Sequence, residues 1–431
     1  MENRKTSSPR QLLAGAMTLS ALATPSLVYA EDSPPPPPAP PPTMHEMWTV
    51  IQRQQREIDV LRERLRETTS QIQNTDAQGG PGEAGEAGEM GSGGEAGEAG
   101  TTDNWWQRTS VHGYGELHYN GGDQDEVDFH RAVIGVQHRF TDQLKAEAEL
   151  EIEHSVSGDG EPGEVLLEEA KIEYQHADWL EASAGLFYVP LGILNPRHKP
   201  ADYFGVERNT VERDIIPTTW SEAGVLLGGD IGAGFGYRVA AHSGLDVPIA
   251  GANAFKPRNG RQNAAEAEAE NGALTAALLW RGLPGVELGL AGQYQSDITQ
   301  GALGIDATLF SAHADILYQG FGLRGLYARW DLNQVPGGPQ TIGRDLQYGW
   351  YLEPSYRFDT GIGQFGLFAR YSERDNEAGD GTDSTILQFD VGTNYWPHPQ
   401  VVIKADYQWE TRPAASGRDD DRVNLGIGYQ F

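Results

Sequence analysis

The sequence predicts an all-β fold, a 16-stranded antiparallel transmembrane β-barrel, with an N-terminal α-helical coiled coil in front of it. Three observations support this. Apolar and polar residues alternate in stretches of about ten residues from Trp105 onward, which is the length and pattern of a tilted membrane-spanning strand. Short and long connections alternate between these stretches, and the N-terminus is typical of an exported protein. The boundaries that we predict are a signal peptide at 1–30, a Pro-rich spacer at 31–43, a coiled coil at 44–74, a Gly-Glu-Ala linker at 75–104 and the barrel at 105–431.

Composition excludes several classes of protein. The 431 residues include no cysteine, which excludes disulfides, thiolate metal sites and cysteine nucleophiles. The net charge is −30, and a surface this acidic repels the phosphates of nucleic acid. Most of the excess lies in the predicted barrel, because residues 101–431 carry a net charge of −24.

The first segment, residues 1–30, has the three parts of a secretory signal. Arg4, Lys5 and Arg10 form the basic region, an apolar core follows, and small residues precede a cleavage site after Ala30. The alternative is a membrane anchor, but the apolar core is short and Pro25 interrupts it. Export without cysteine fits the envelope of a Gram-negative bacterium.

The next three segments are predicted to extend into the periplasm. The run "SPPPPPAPPP" favours a stiff polyproline tether. In residues 44–72, a heptad places Met44, Ile51, Ile58, Leu65 and Ile72 at a positions, which indicates a coiled coil and hence a homo-oligomer; a lone amphipathic helix is the alternative. Glycine recurs at every third position from Gly82 to Gly100 with little proline, which favours a flexible acidic linker over a collagen-like stalk.

The barrel segment divides into 16 alternating stretches, which start near residues 110, 128, 144, 166, 180, 220, 235, 271, 286, 305, 321, 346, 363, 384, 400 and 422. Short turns and long loops are expected at the periplasmic and outer ends of such a barrel. Tryptophans fall at both ends of the strands: Trp105, Trp106, Trp179, Trp280 and Trp396 at the periplasmic end, and Trp220, Trp330, Trp350 and Trp409 at the outer end. This distribution predicts aromatic girdles. The final strand ends in Phe431, similar to the sorting signal of outer-membrane proteins.

Four words of the sequence resemble the phosphate-selective porin family of the O and P type: "GYGELHYN", "VDFHRAVIGVQHRF", "EAELEIEHSV" and "GLFYVPLGILNPRHKPADYFGVERNTVERDIIPTTW". The resemblance covers roughly residues 105–431. It implies a trimer of barrels in the outer membrane, each with its own pore, in which a third outer loop folds inward and lumen arginines and lysines pass anions such as phosphate.

The third outer loop, at about 191–219, is the segment that we expect to narrow the pore. It is long and rich in charge, so folding into the lumen would place its charges in water. "YFGV" and "DIIPTTW" supply apolar anchors, which count against the alternative of a disordered surface loop. The candidate anion-binding residues at the constriction are Arg197, Lys199, Arg208, Arg213, Arg131 and Arg139.

Strand parity predicts charges of both signs in the lumen. The acidic wall comprises Glu147, Glu149, Glu151 and Glu153. Further inward-facing bases are Lys145, Lys171, Arg238, Arg329, Arg357, Arg370 and Lys404, and further acids are Glu169, Glu173, Glu353, Asp390 and Asp406. Because the segment is net acidic, a general or weakly selective diffusion pore is expected, with phosphate as the sharper alternative.

Other functions have less support. No catalytic, cofactor or metal-site motif appears. A barrel phospholipase needs a Ser-His pair on its outer face, and His130 and His138 fall on the outward parity, but surface histidines of a barrel usually lie at the membrane interface. A structural role, spacing the outer membrane from the cell wall through the coiled coil, is the alternative function. The expected partners are two further copies of the chain, outer-membrane lipids and lipopolysaccharide, the cell wall in the alternative, and small ions or phosphate as permeants; nucleic acid and cofactors are not expected.

Overall fold

The computed structural model describes residues 105–123, 125–158, 160–413 and 419–431. The predicted signal peptide, Pro-rich spacer, coiled coil and linker lie outside the described residues. Among the residues that the structure describes, no helix is long and apolar enough to cross a bilayer.

The described chain forms a closed antiparallel barrel of 16 strands, in which every strand pairs with its sequence neighbours and β1 pairs with β16. The strands are β1 Thr109–Gly121, β2 Glu126–Arg139, β3 Leu144–Glu153, β4 Val165–Ala177, β5 Leu180–Tyr188, β6 Ser221–Gly232, β7 Phe235–His242, β8 Ala273–Trp280, β9 Val286–Gln295, β10 Ala307–Tyr318, β11 Phe321–Leu332, β12 Leu346–Thr360, β13 Gly363–Asp375, β14 Ile386–His398, β15 Val401–Thr411 and β16 Arg422–Gln430. The predicted strand starts agree with these bounds to within two residues. The strand count is therefore confirmed.

The two ends of the barrel differ, as the alternating connections predict. The turns at one end are short, and the connections at the other end are long loops except the short one between β1 and β2. The two longest are loop 3 (189–220) and loop 4 (243–272), and loop 5 (296–306) and loop 6 (333–345) are shorter. We call the two ends the turn end and the loop end. The few helical turns are a 3-10 turn before β1 at Trp105–Arg108, α1 (Val211–Asp214) and 3-10 turns at Pro200–Asp202, Pro257–Gly260 and Pro339–Ile342.

The outer face of the barrel is apolar and the inner face is polar, because successive side chains of a strand point to opposite faces. On β3, Leu150 and Ile152 are exposed, whereas Glu149 and Glu151 face the lumen and are buried. The seam between the first and last strands is closed by antiparallel pairing of residues 114–121 with residues 423–430. Two further hydrogen bonds extend it, from the Gly113 N–H to the Phe431 carbonyl at 3.1 Å and from the Phe431 N–H to the Gly113 carbonyl at 2.9 Å.

Several expectations about faces were wrong, and His130 of β2, expected on the outward parity, is one of them, since it stacks on the lumen-facing His118. Arg329 lies on the exposed parity of β11, where it pairs with Asp331, and the lumen arginine of that strand is Arg324. Trp220 and Trp330 are fully buried and do not belong to an outer girdle. Trp396, expected in the girdle at the turn end, is buried against Phe204 of loop 3 instead. Trp220 Nε1 donates to Glu222 at 2.9 Å and Trp330 Nε1 donates to the Ile215 carbonyl at 2.9 Å.

The loop end of the lumen contains an apolar core. Loops 3, 4 and 5 bury their apolar side chains against the inner face of β10–β12, where small and apolar residues replace polar ones. The core comprises Val189, Leu191, Ile193, Val211, Ile215, Ile216, Trp220, Leu245, Val247, Ala254, Phe255, Ile298, Ile305, Ala307, Leu309, Leu326, Ala328, Trp330, Leu332 and Tyr351. Loop 3 therefore folds inward, but much of it packs as the interior of a soluble domain does rather than facing water.

Candidate functional site

Loop 3 is held in shape by one buried carboxylate, Glu212. Its Oε1 accepts hydrogen bonds from the backbone N–H groups of Ile193 at 2.5 Å and Leu194 at 2.7 Å. Its Oε2 accepts from the Tyr351 hydroxyl at 2.8 Å and from Asn209 Nδ2 at 3.2 Å. Glu212 is 1% exposed, so these four donors replace the water molecules that would solvate an exposed carboxylate. The loop is thereby joined to itself and to β12.

The tip of loop 3 crosses the lumen to the opposite wall. The Tyr203 hydroxyl donates to Glu116 of β1 at 3.1 Å, and its ring lies 3.6 Å below the Lys404 ammonium of β15. The Val206 N–H donates to Asp406 of β15 at 2.6 Å. These contacts fix the tip over the seam of the barrel.

A second pair of contacts holds the carboxylate that follows the tip. Glu207 accepts from His118 Nδ1 at 3.1 Å and from Asn120 Nδ2 at 3.0 Å. Burial opposes ionisation of Glu207, but the hydrogen bonds from His118 and Asn120 lower its pKa well below its usual range. Glu207 is therefore an anionic anchor between loop 3 and β1.

Two glycines of the wall provide the space for this approach. A Cβ at Gly428 would lie 2.5 Å from the Pro200 Cβ, and one at Gly366 would lie 2.6 Å from the Phe204 ring. Neither position tolerates a side chain unless loop 3 moves.

Two adjoining cavities, of about 610 and 510 Å³, lie beside loop 3 and reach toward the turn end. They share Arg197, Asp202, Arg281 and Glu287, so we treat them as one chamber. The lining carries seven acidic side chains, Glu147, Glu149, Glu169, Asp202, Glu287, Asp315 and Glu353, and seven basic ones, Lys171, Arg197, Lys199, Arg238, Arg281, Arg324 and Arg357. The chamber is polar and electrically balanced.

Most charges of the chamber are paired. Glu287 contacts Arg197 at 2.5 Å and Arg281 at 2.6 Å, and Asp315 contacts Arg324 at 3.0 Å. Lys171 contacts Glu169 at 2.5 Å. These pairs bring opposite charges together, and they leave little net field along this part of the wall.

Two cations of the chamber are not neutralised in this way. The Lys199 ammonium forms no ion pair with a described carboxylate. The Arg357 guanidinium stacks over Phe204 at 4.9 Å and Trp396 at 4.6 Å, and it too has no described carboxylate partner. One carboxylate of the chamber, Asp202, also lacks an ion pair with the described bases, and burial raises its pKa although Lys199 and Arg197 oppose that rise.

The six basic residues predicted at the constriction are dispersed. Arg197 and Lys199 line the chamber, whereas Arg131 is fully neutralised by Glu116 at 2.7 Å and Glu151 at 3.2 Å. Arg139 is exposed at the turn end of β2.

The remaining two lie elsewhere in loop 3. Arg208 is 7% exposed and donates to the Thr219 hydroxyl at 3.0 Å, while its Nε and Nη2 atoms find no acceptor among the described residues. Arg213 pairs with Asp214 at 3.1 Å, and Arg374 approaches the same carboxylate at 2.8 Å. Burial opposes ionisation of Asp214, but Arg213 and Arg374 lower its pKa to about 2.

Arginines of loop 4 lie near this part of loop 3. Arg258 is 3.9 Å from Asp214. Burial, together with the charges of Arg258 and Arg208, lowers the pKa of Arg261 to about 10, although Glu153 opposes that fall. The arginines of loops 3 and 4 therefore form a region of positive charge with too few carboxylates, and Glu151 and Glu153 face it.

The predicted acidic wall lies on the lumen side of β3, with partners that sequence alone does not show. Glu149 accepts from the Tyr188 hydroxyl at 3.0 Å and contacts His112 at 2.9 Å. Glu147 is 3.9 Å from Lys171. Three of its four members are therefore partly compensated, since Glu151 pairs with Arg131.

Several residues of this site were not predicted from the sequence. Arg281, Glu287, Asp315 and Arg324 line the chamber, and Glu212 holds loop 3. Parity along β9, β10 and β11 could have assigned three of these charges to the lumen. Nothing in the sequence distinguishes Glu212 from the other acids of loop 3.

No family model matches the chain. An uncharacterized protein of Aquifex aeolicus is 32% identical over 356 residues, which cover 75% of this chain and 80% of the relative.

Solved structures of outer-membrane proteins share the barrel. OmpF of Salmonella typhi, in complex with daunomycin, superposes with a TM-score of 0.52 at 14% identity, over 75% of this chain and 97% of that one. The anion-selective porin of Comamonas acidovorans gives 0.52 at 13% identity, over 75% and 99%. A loop-deletion mutant of OmpT, an outer membrane protein of Vibrio cholerae, gives 0.51 at 11% identity, over 75% and 99%. At these identities the likeness establishes a shared fold.

Proposed function

The chain belongs to the same family as the Aquifex aeolicus protein and has the 16-stranded barrel of the porins, and on this premise we propose that it is an outer-membrane porin for passive diffusion of small hydrophilic solutes. The observation that carries the proposal is a barrel with an apolar outer face whose lumen holds a polar chamber beside an inserted loop. An apolar outer face is the surface that a barrel presents to lipid. Charged side chains inside such a barrel are stable where water and dissolved ions surround them, as in a channel. The trimeric assembly implied by the porin resemblance is part of this proposal.

The finer proposal is a weak preference for anions, with phosphate among them. It rests on Lys199 and Arg357, which lack carboxylate partners in the chamber, and on the uncompensated arginines of loops 3 and 4. Charges that are paired contribute little to the field that a permeating ion meets, so the few unpaired cations decide its sign. Because Asp202 opposes them in the same chamber, the preference is modest.

The test is a planar-bilayer recording of the purified full-length protein under a potassium chloride gradient. Stepwise conductance with a reversal potential displaced toward that of chloride, and a current reduced by added phosphate, is the expected result. A membrane-inserted protein without conductance would refute the porin. A reversal potential close to that of potassium would leave the porin and refute the anion preference.

One charge-reversal variant tests the anion preference directly. Lys199→Glu should move the reversal potential toward potassium, because it replaces an unpaired cation of the chamber by an anion. Lys256→Glu is the matched control, since Lys256 is in loop 4 and does not line the chamber. An equal displacement in both variants would mean that the chamber does not set selectivity.

A further inference from the structure

Two histidines and an aspartate converge at the loop end of β2 and β3. Asp128 and His130 belong to β2, and His154 is the first residue after β3. Asp128 Oδ2 lies 3.1 Å from His130 Nδ1 and 2.9 Å from His154 Nδ1. The three atoms all lie within 4.8 Å of one another.

A strand irregularity brings His130 into this group. β1 and β2 pair with a register shift, because Glu116 opposes Arg131 whereas His118 opposes Asp128. Between these two pairs the chain takes three steps along β2 but only two along β1, so β2 carries a β-bulge. A bulge changes the direction of the side chains beside it. His130, expected on the outward parity, instead stacks on the lumen-facing His118 with ring centroids 4.7 Å apart.

The backbone at the third member is also unusual. His154 has a φ of 54°, and its N–H donates to the His130 carbonyl at 3.3 Å. Left-handed backbone is uncommon for residues other than glycine, and it turns the imidazole back toward β2. Two independent backbone irregularities, the bulge beside His130 and the left-handed conformation of His154, therefore direct both imidazoles toward the Asp128 carboxylate.

We propose that Asp128, His130 and His154 form a binding site for a divalent first-row transition metal ion, with Zn²⁺ as the probe. Imidazole nitrogens with one carboxylate oxygen are ligands that suit such ions, whereas Ca²⁺ prefers oxygen ligands alone. With metal–ligand bonds of about 2.0–2.1 Å, tetrahedral ligand atoms stand about 3.3 Å apart. The two observed Asp–His distances are within a few tenths of an ångström of that value, so the site needs little rearrangement on these edges.

Access and support also fit a metal site. The side chains of His130 and His154 are 28% and 32% exposed, which leaves an open side for water or another ligand as the fourth partner. His118, stacked behind His130, is itself held by Glu207 at 3.1 Å and Glu116 at 3.2 Å, so the ring that orients His130 is fixed. A second group of metal-ligand type, His112 with Glu147 and Glu149, lies farther toward the turn end and offers one imidazole only.

The experiment is a calorimetric titration of metal-free, tag-free, full-length protein with ZnCl₂, and with CaCl₂ for comparison. We expect one Zn²⁺ per chain and no comparable heat with Ca²⁺. His154→Asn and Asp128→Asn should each weaken Zn²⁺ binding at least about ten-fold, because each removes a ligand. Asparagine tolerates the left-handed backbone at 154, so this variant has little reason to misfold.

Two control variants separate this site from other histidines. His398→Asn removes an exposed imidazole at the turn end, and His112→Gln removes the second group. Neither should change the affinity. Binding that survives in His154→Asn, or that is lost in His112→Gln, would overturn the proposal.

A spectrum of the unsubstituted protein gives a test that does not depend on folding of variants. Zinc K-edge absorption of the Zn²⁺ complex should show two imidazole ligands among nitrogen and oxygen neighbours at about 2.0 Å. A first shell of oxygen alone would overturn the site. Neither measurement requires conductance, so the metal site and the porin can fail separately.

Discussion

Removing the Glu212 carboxylate should release loop 3 from the lumen. Glu212→Ala leaves four donors without their acceptor: the N–H groups of Ile193 and Leu194, the Tyr351 hydroxyl and Asn209 Nδ2. Hydrogen bonds to a charged group contribute about 1.5–3 kcal/mol each, so the lower figure gives on the order of 6 kcal/mol. Burying the carboxylate in the parent protein costs several kcal/mol of desolvation, and the variant no longer bears that cost, which offsets about half of that sum. The net loss is therefore on the order of 3 kcal/mol, or about a hundred-fold in the population of the opened loop.

Native-state hydrogen exchange followed by mass spectrometry measures this opening directly. Peptides that contain the amides of Ile193 and Leu194 should exchange about a hundred-fold faster in Glu212→Ala, because both amides lose their acceptor and the loop opens more often. Peptides from β14 and β15 should be unchanged and so report an intact barrel. Glu212→Gln keeps one acceptor oxygen but places an amide against Asn209, and its effect should be intermediate.

The control is Glu266→Ala, which removes an exposed carboxylate of loop 4. It should leave exchange in loop 3 unchanged. If the amides of Ile193 and Leu194 exchange at the same rate in Glu212→Ala as in the parent protein, the carboxylate does not hold the loop and our reading of its contacts is wrong.

Three further predictions concern the same loop. Gly428→Val should push Pro200 away from the wall at a cost of about 1–3 kcal/mol and speed exchange over 200–206, whereas Gly361→Val, with open space around it, should not. Because the pKa of Asp214 is lowered to about 2 from 3.8, its stabilising contribution is present above pH 3.8 and is lost as pH falls toward 2. Protection of the loop 3 amides from exchange should therefore fall over this pH range, and the fall should be absent in Asp214→Asn. Because the pKa of Asp202 is raised, acidification should neutralise it before an ordinary aspartate and move the reversal potential toward chloride; an unchanged pH dependence in Asp202→Asn would contradict its role.

The strands were predictable because their signal is local and repeated. A residue on β3 such as Leu150 faces lipid and its neighbour Glu151 faces the lumen, so parity alone gives both assignments. Parity failed where one strand gains a residue over its partner, as at His130 beside the bulge of β2. It also failed at Arg329, where a shift of one residue exchanges the two faces.

The interior of loop 3 was not predictable in the same way. The inward-facing apolar residues of β10–β12, such as Leu309, Ala328 and Tyr351, fill positions that in a water-filled barrel would be polar. They are explained only by Ile215 and Val211 of loop 3, which are distant in sequence and pack against them. The same holds for Gly428, whose missing side chain accommodates Pro200. Contacts between a loop and a strand that is distant in sequence produce no periodic pattern of residues from which they could be predicted.

The net charge of the chain is a poor guide to the field inside it. Residues 101–431 carry −24, yet the chamber lining has seven charges of each sign, most of them within contact distance of an opposite charge. Much of the excess acid lies at the loop end, for example at Asp419, Asp420 and Asp421, where water and salt screen a charge over about 8–10 Å. If ions pass through the chamber as we propose, they should respond mainly to the charges without an ion-pair partner among the described residues, which are Lys199, Arg357 and Asp202. In the proposed porin, two cations against one carboxylate, whose pKa is raised by burial, would favour anions weakly although the chain as a whole is acidic.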